Sequence, residues 1–553
     1  MKTRSLTPSL LALAAAGLIH SCAASAAALP SAPLPVAAAA HEHREFDATL
    51  HAPYRGDGRG QPEARTFTLA FDYPGLQERR AARWRLELLA PSGRRVRLWQ
   101  GSQALDGRPV DLRVRWQGLL NGTPPAAGVY RVRLRAELDG ERVEQAWNIA
   151  VGKVAAPAMP AFAGLPTRRA GAAAQPAPDA LPYTVYYGNL HSQTSHSDGG
   201  APVDDCKGAQ APQSAPFGPD AAWPYARRHG LDILMVSEHN HMYDGSEGGN
   251  PQADPATARA LYRAGLDSAQ AFNAQHGDFL ALYGLEWGVI NNGGHLNIFN
   301  ADELLGWEKN AQGELLADTA TARGDYAALY ALMRRRGWIG QFNHPSPGGQ
   351  FAVGGVPLAY TEDGDAAMAL CEVMNSSAFS TREDESETRR SNFEQACNKL
   401  LEAGYHVAFS SNQDNHCANW GAAAANRTAV LLPSGVPLTR ASFVEALRAR
   451  RVFATMDKEA QLVLTANDRL MGERFENSGA LNLRVHYAGA PGRSAAALEI
   501  VEGVPGRNGQ PGRLTERADF SFVPAPGRHY YYAKLTQDDG RILWSAPVWV
   551  DQR

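Results

Sequence analysis

The central part of the chain repeats one pattern: a short apolar run that stops abruptly at a polar turn. Tyr183–Tyr187, Ile233–Ser237, Phe279–Leu285, His295–Phe299, Trp338–Asn343, Met368–Met374 and His406–Ser410 are runs of strand length, rich in β-branched and aromatic residues. Stretches of helical periodicity lie between them, near Ala221–His229, Pro255–His276, Asp325–Arg336 and Glu387–Ala403, and Ser442–Arg450 adds another. Alternation of strands and helices predicts an α/β layer or barrel over residues 182–458.

The flanks follow a different rhythm. Within residues 44–152, Thr66–Phe71, Trp84–Leu89, Val96–Trp99, Val110–Trp116, Val129–Leu134 and Val143–Val151 alternate in polarity or are β-branched. Turns such as Pro91-Ser92-Gly93 and Asp139-Gly140 separate them, which predicts a small antiparallel sandwich. The hairpin from Trp116 to Tyr130 is similar to the Ig-like modules appended to bacterial secreted proteins. Residues 153–181 are rich in Ala and Pro and read as a linker. Residues 459–553 return to short strands between Gly and Pro turns, predicting a second sandwich.

The first residues form an address. Lys2 and Arg4 precede an apolar core from Leu10 to Ile19, too short to span a bilayer, followed by Ala24-Ser25-Ala26 and Ala26-Ala27-Ala28. Residues 1–28 are therefore read as a cleaved secretory signal, with lipidation at Cys22 the less favoured alternative. The expected location is periplasmic or extracellular. No later run predicts a membrane span. With 54 Lys and Arg against 57 Asp and Glu, the net charge of −3 gives no reason to expect nucleic acid as a partner. Export favours disulfides for Cys206, Cys371, Cys397 and Cys417, and four cysteines allow three pairings.

Chemistry collects where the apolar runs stop. There stand His191 and Asp198; Glu238, His239 and His241; Glu286; His295; His344; Glu372; then Asp414 and His416. Strands ending in this way bring side chains to one rim, and nitrogen and oxygen ligands of this kind suit zinc, manganese or iron. Gly-x-Ser-x-Gly is absent, against a serine hydrolase of the α/β-hydrolase plan.

Taken in order, Asn189-Leu190-His191 with Ser197-Asp198-Gly199, Ser237-Glu238-His239-Asn240, Gly284-Leu285-Glu286, Gly294-His295, Asn343-His344-Pro345, Cys371-Glu372-Val373 and Asp414-Asn415-His416 resemble the motifs of the PHP (polymerase and histidinol phosphatase) superfamily. The nearest branch is that of the carbaryl-hydrolase-like metallohydrolases. The resemblance implies a distorted (β/α)7 barrel, flanked here by the two sandwiches, with two or three divalent metal ions at one rim. It implies three ligand sets: His191, Glu286 and Asp414; Glu286, His295 and His344; Asp198, His239 and His416. It implies catalysis by a hydroxide bridging the cations, with Glu286, His191 and Asp414 closest to the chemistry, on a small-molecule substrate such as a phosphate ester. The alternatives are a carbamate, ester or amide hydrolase, and a catalytically degenerate surface or carbohydrate-binding protein.

Two positions depart from the family pattern. The usual His-x-His reads His191-Ser192-Gln193, so Gln193 offers a neutral amide oxygen in place of an imidazole. The usual Asp-His reads Glu238-His239. Glu238 is expected to orient His239 or reach a metal, Glu372 to orient a ligand or be an edge-strand carboxylate, His241 to touch substrate or solvent, and Arg427 to bind a phosphate oxygen or lie on the surface. Cys206 follows the first motif and Cys417 adjoins His416, so the expected bridges are Cys206–Cys417 and Cys371–Cys397.

Overall fold

The computed structural model describes residues 46–74, 76–168, 181–290, 293–346, 348–507 and 509–553. The signal segment, Cys22 and residues 169–180 of the Ala/Pro-rich linker lie outside the described residues.

The N-terminal strands form two antiparallel sheets. Asp47–His51, Arg65–Asp72 and Val110–Trp116 make one; Arg95–Leu105, Arg80–Leu89, Gly128–Leu138 and Glu141–Val151 make the other. Strict alternation along Arg65–Asp72 sends Phe67, Leu69 and Phe71 inward, against Leu86, Leu88, Val132, Leu134 and Trp147 of the facing sheet.

The central region is where expectation and structure part. Its strands, apart from the short pair Leu305–Gly306 and Thr319–Ala320, belong to a sixteen-stranded sheet. The order runs from Arg390–Asn392 through Met368–Ser376, Gly340–Phe342, Gly294–Ile298, Leu280–Val289, Ile233–His239 and Tyr183–Asn189 to Arg427–Pro433 and Val452–Thr455. The sheet then continues, through pairing of Val452–Thr455 with Ile542–Ser545, into the C-terminal strands. Only six helices accompany all of this among the described residues. The chain is therefore a mixed, β-dominated protein, and the expected (β/α)7 barrel flanked by two separate sandwiches is incorrect.

The reason is connection length. A parallel crossover needs a dozen or more residues, usually helical. Leu280–Val289 reaches Gly294–Ile298 in four residues, so the two pair antiparallel, Glu286 opposite Asn297. Gly294–Ile298 then pairs antiparallel with Gly340–Phe342, and Arg427–Pro433 antiparallel with Tyr183–Asn189. Parallel pairing survives where a helix or long loop intervenes: Tyr183–Asn189 with Ile233–His239, Ile233–His239 with Leu280–Val289, and Met368–Ser376 with both Gly340–Phe342 and Ala408–Asn412.

Helix boundaries follow local chemistry. Asp254 caps Pro255–Gln275 by accepting from the N–H groups of Ala256 and Thr257, and Gly337 ends Tyr326–Arg336 at φ 69°. The helix expected from Glu387 begins only at Glu394, because Arg390–Asn392 is drawn into an edge strand beside Met368–Ser376. No helix among the described residues is long and apolar enough to cross a membrane.

Candidate metal centre

The polar ends of the central strands meet at one place. His191 follows the strand Tyr183–Asn189, and His239 closes Ile233–His239. Glu286 lies on the neighbouring strand directly opposite His239. His295 comes from Gly294–Ile298, His344 from just beyond Gly340–Phe342, and Asp414 and His416 from just beyond Ala408–Asn412. Asp198 arrives on the loop after His191. That loop folds back so tightly that a Cβ on Gly199 would lie 2.6 Å from the Gln193 carbonyl carbon. It is zipped to the last motif: the Gln193 N–H donates to the Asn415 carbonyl at 2.8 Å and the Gly200 N–H to the His416 carbonyl at 2.7 Å.

Glu286 is the hub. His191 Nε2 lies 2.9 Å from its Oε2, His295 Nδ1 3.1 Å and His344 Nε2 3.4 Å from its Oε1, and His239 Nδ1 3.9 Å from Oε2. His191 Nε2 also stands 3.0 Å from Asp414 Oδ1. A second focus is Asp198, with His239 Nε2 at 3.7 Å and His416 Nε2 at 3.6 Å. Three sets have ligand atoms mutually within 4.8 Å: His191, Glu286 and His344; His239, Glu286 and His295; Asp198, His239 and His416. The last is the expected trio. The other two regroup the expected ligands around Glu286, with Asp414 beside His191.

The electrostatics of this donor set fit a divalent cation. Burial alone would raise the Glu286 carboxyl, but the charges of His191, His295 and His239 hold it well below the usual range. Burial works against a charged His191, yet Asp414, Glu286 and Glu372 together raise it well above its usual value. The cluster of carboxylates thus demands positive charge at His191 Nε2, which a proton or a divalent cation can supply. Gln193 turns its amide nitrogen onto Glu286 Oε2, while its buried carbonyl oxygen has no hydrogen-bond partner.

The supporting residues are equally specific. Glu372 receives His191 Nδ1 at 3.2 Å, the His344 N–H at 2.8 Å and the Asn412 amide at 2.9 Å, so it orients two ligands from behind. Asn343, which stands beside His344 in its motif, donates its amide to Glu286 Oε1 at 2.8 Å and to Asn297 Oδ1 at 2.9 Å. No spacing signal distinguishes that role; it depends on strand register. His344 and Asp414 sit at φ 28° and φ 51°, a region sparsely populated by residues other than glycine.

Three expected roles shift. Glu238 faces away from the cluster and accepts from the Thr194 N–H at 3.1 Å and from the hydroxyls of Thr194 and Ser197. Burial pushes its carboxyl up to about 8 despite those bonds. It anchors the turn carrying Asp198. His241 stacks on Trp307 with centroids 5.8 Å apart, beside His239. Arg427 is buried, neither on the surface nor at a phosphate position; it donates to the carbonyls of Ala424 and Asn426 and pairs with Glu385 at 2.9 Å.

The disulfides are Cys206–Cys417 and Cys371–Cys397. The first ties the Asp198 loop to the residue after His416; the second ties the residue before Glu372 to the helix Glu394–Ala403.

Comparisons with known proteins add little to this geometry. No protein-family description matches the chain, and no curated protein matches it. Among solved structures, a Bacteroides uniformis beta-glucuronidase is similar at 10% identity and a TM-score of 0.16, over 92% of this chain and 61% of that one. A Parabacteroides merdae beta-glucuronidase is similar at 9% identity and a TM-score of 0.15, over 92% and 65%. Scores of that size leave fold and chemistry to be read from the strands themselves.

Proposed function

We propose that this protein is an exported, metal-dependent hydrolase acting on phosphate esters. The observation that carries the reading is the trio of overlapping ligand sets about Glu286 and Asp198. The ordered motifs that resemble the PHP superfamily support it, here borne on a mixed sheet. The signal-like N-terminus and the two disulfides support export.

His191, Glu286, His344, His239, His295, Asp198 and His416 would hold the ions, with Asp414 and Gln193 at hand beside His191. Zinc, manganese and iron all suit such nitrogen and oxygen ligands. Bound there, divalent cations supply Lewis-acid activation of water near neutral pH and offset charge developing on phosphoryl oxygens. The chain's own residues prepare that chemistry. Glu372 accepts the Nδ1 proton of His191, which turns the Nε2 lone pair toward Glu286 and Asp414. Asn343 fixes one oxygen of Glu286, leaving the carboxylate to face both groups of imidazoles. Glu238 and the Cys206–Cys417 bridge hold the Asp198 loop in register with His416.

The test has two parts. Metal analysis of purified protein is expected to find two or more divalent ions per chain. A panel of aryl phosphate, bis-aryl phosphate and aryl carbamate is expected to show turnover of a phosphate ester above the carbamate. Stoichiometric absence of metal after growth in zinc and manganese would sink the reading, and preference for the carbamate would redirect it to amide and ester chemistry.

A further inference from the structure

A cavity of about 1690 Å³ opens beside the metal centre, with His344 and Asp414 on its wall and the N-terminal sheets on the opposite side. That exceeds the usual range of about 300–1,000 Å³ for a small-ligand site. Away from the centre, the same cavity is lined by Asn375, Ser376 and Arg390. Ser376 and Arg390 are direct cross-strand partners, with Asn375 opposite Ser391, so their backbones are fixed by the sheet.

These three side chains share one condition. The Ser376 hydroxyl, the Asn375 carboxamide oxygen and Arg390 Nε are each buried without a hydrogen-bond partner. Ser376 and Asn375 are 7% and 5% exposed, so the protein has already removed both from bulk water. Arg390 forms no ion pair among the described residues; its guanidinium lies over the Trp147 ring at 4.4 Å. Burial, with the charge of Arg541 nearby, lowers the guanidinium to about 10, and Asp539 only partly offsets this. The Asn375 amide nitrogen reaches Glu372 Oε2 at 3.4 Å, but its oxygen, the Ser376 hydroxyl and the Arg390 Nε–H, buried without partners, cost free energy unless something enters to meet them.

We propose that Arg390, Ser376 and Asn375 form a subsite for a second anionic group of the substrate, set apart from the bond that is cleaved. Arg390 supplies the charge and N–H donors, Ser376 donates a hydroxyl hydrogen, and the Asn375 oxygen accepts from a neighbouring hydroxyl or amine. The shared chemistry is a carboxylate or phosphoryl group on the part of the substrate that lies in the cavity. Only the link to catalysis rests on the phosphoesterase reading; the anion site stands on its own geometry.

The experiment separates the two. Inorganic sulfate is titrated at constant ionic strength against wild type, Glu286→Gln, Arg390→Gln and Ser376→Ala, reading binding by calorimetry. Wild type and Glu286→Gln are expected to share one sulfate site, any further binding by wild type belonging to the metal centre, and that shared site is expected to be at least tenfold weaker in Arg390→Gln and several-fold weaker in Ser376→Ala. Ser376→Ala leaves the Arg390–Trp147 contact in place, so it decides the matter if Arg390→Gln folds poorly. Equal binding by all four proteins overturns the subsite. Phenyl phosphate, its para-carboxylate and its para-phosphonate are then compared as substrates. Lower KM for one of the anionic pair, lost in Arg390→Gln with little change in kcat, identifies which anion is read. Equal KM for all three in wild type overturns the assignment of the subsite to substrate. Failure to cleave any of them counts against the phosphoesterase reading and leaves the sulfate result to stand.

Discussion

At the level of single residues, the centre depends on one carboxylate that serves four imidazoles. Replacing Glu286 by Gln keeps the shape and the bond from Asn343 but removes the charge that His191, His295 and His239 answer. Glu286→Gln is expected to lose most bound metal and to lower activity by more than about a hundredfold, the upper end of the losses seen even for outer partners of ligands. Metal content and kcat/KM check this; activity within a few-fold of wild type would mean that Glu286 is not the hub. Gln193 is the opposite case, a neutral amide where an imidazole would bind more tightly. Gln193→His is expected to retain more metal through dialysis than wild type, read as ions per chain. Unchanged retention would place Gln193 outside the ligand set.

At the level of elements, two devices hold the loops and strands at their working positions. The Cys206–Cys417 bridge and the backbone zipper between Gly200 and His416 keep Asp198 opposite His416. Replacing both cysteines by Ser is therefore expected to weaken one ion, that of Asp198, His239 and His416, while the ions around Glu286 remain. Stepwise chelator titration resolves the two classes, and a single unchanged step would refute the coupling. Strand pairing in the N-terminal sheet carries a cost. Asp47 and Asp72 face each other across antiparallel strands of the N-terminal sheet. Burial first, and then the charge of Asp47, raises Asp72 to about 6 from 3.8. A raised carboxyl keeps its proton longer in the folded state, so stability is full below the unfolded value and falls as pH climbs toward 6. Asp72→Asn is thus expected to match wild type below pH 4 and to exceed it above pH 6 by about 1 kcal/mol, discounted because Asp72 is partly exposed. Parallel urea melts at the two pH values measure it; a constant difference would show that Asp72 does not titrate in this range.

At the level of the whole molecule, ions at the centre would join strands far apart in sequence, from Asp198 to His416, across the middle of a sheet that extends into the C-terminal strands. Ligands that bind only the folded state stabilise it by mass action. Chelation is therefore expected to lower the melting temperature by several degrees, and re-addition of Zn²⁺ or Mn²⁺ to restore it. A melting temperature indifferent to chelator would mean that the cluster holds its shape without cations.

Much of this was legible in the residues alone. Apolar runs ending in His, Asp or Glu mark the strand ends, because a strand that leaves the core must turn in water and its last side chains face one rim. The trio of Asp198, His239 and His416 is what the resemblance of the ordered motifs implies, and those three side chains meet. What the sequence could not carry is pairing direction and register. The four residues between Val289 and Gly294 turn an expected parallel crossover into a hairpin, and with it the barrel into a mixed sheet. Register likewise sets Asn343 on Glu286, turns Glu238 away toward Thr194 and Ser197, and buries Arg427 beneath its own loop. It also places Ser376 beside Arg390 in a cavity whose far wall comes from strands hundreds of residues earlier. Residue chemistry determines which groups can bind a cation; long-range strand pairing, which local sequence does not encode, decides which of them meet.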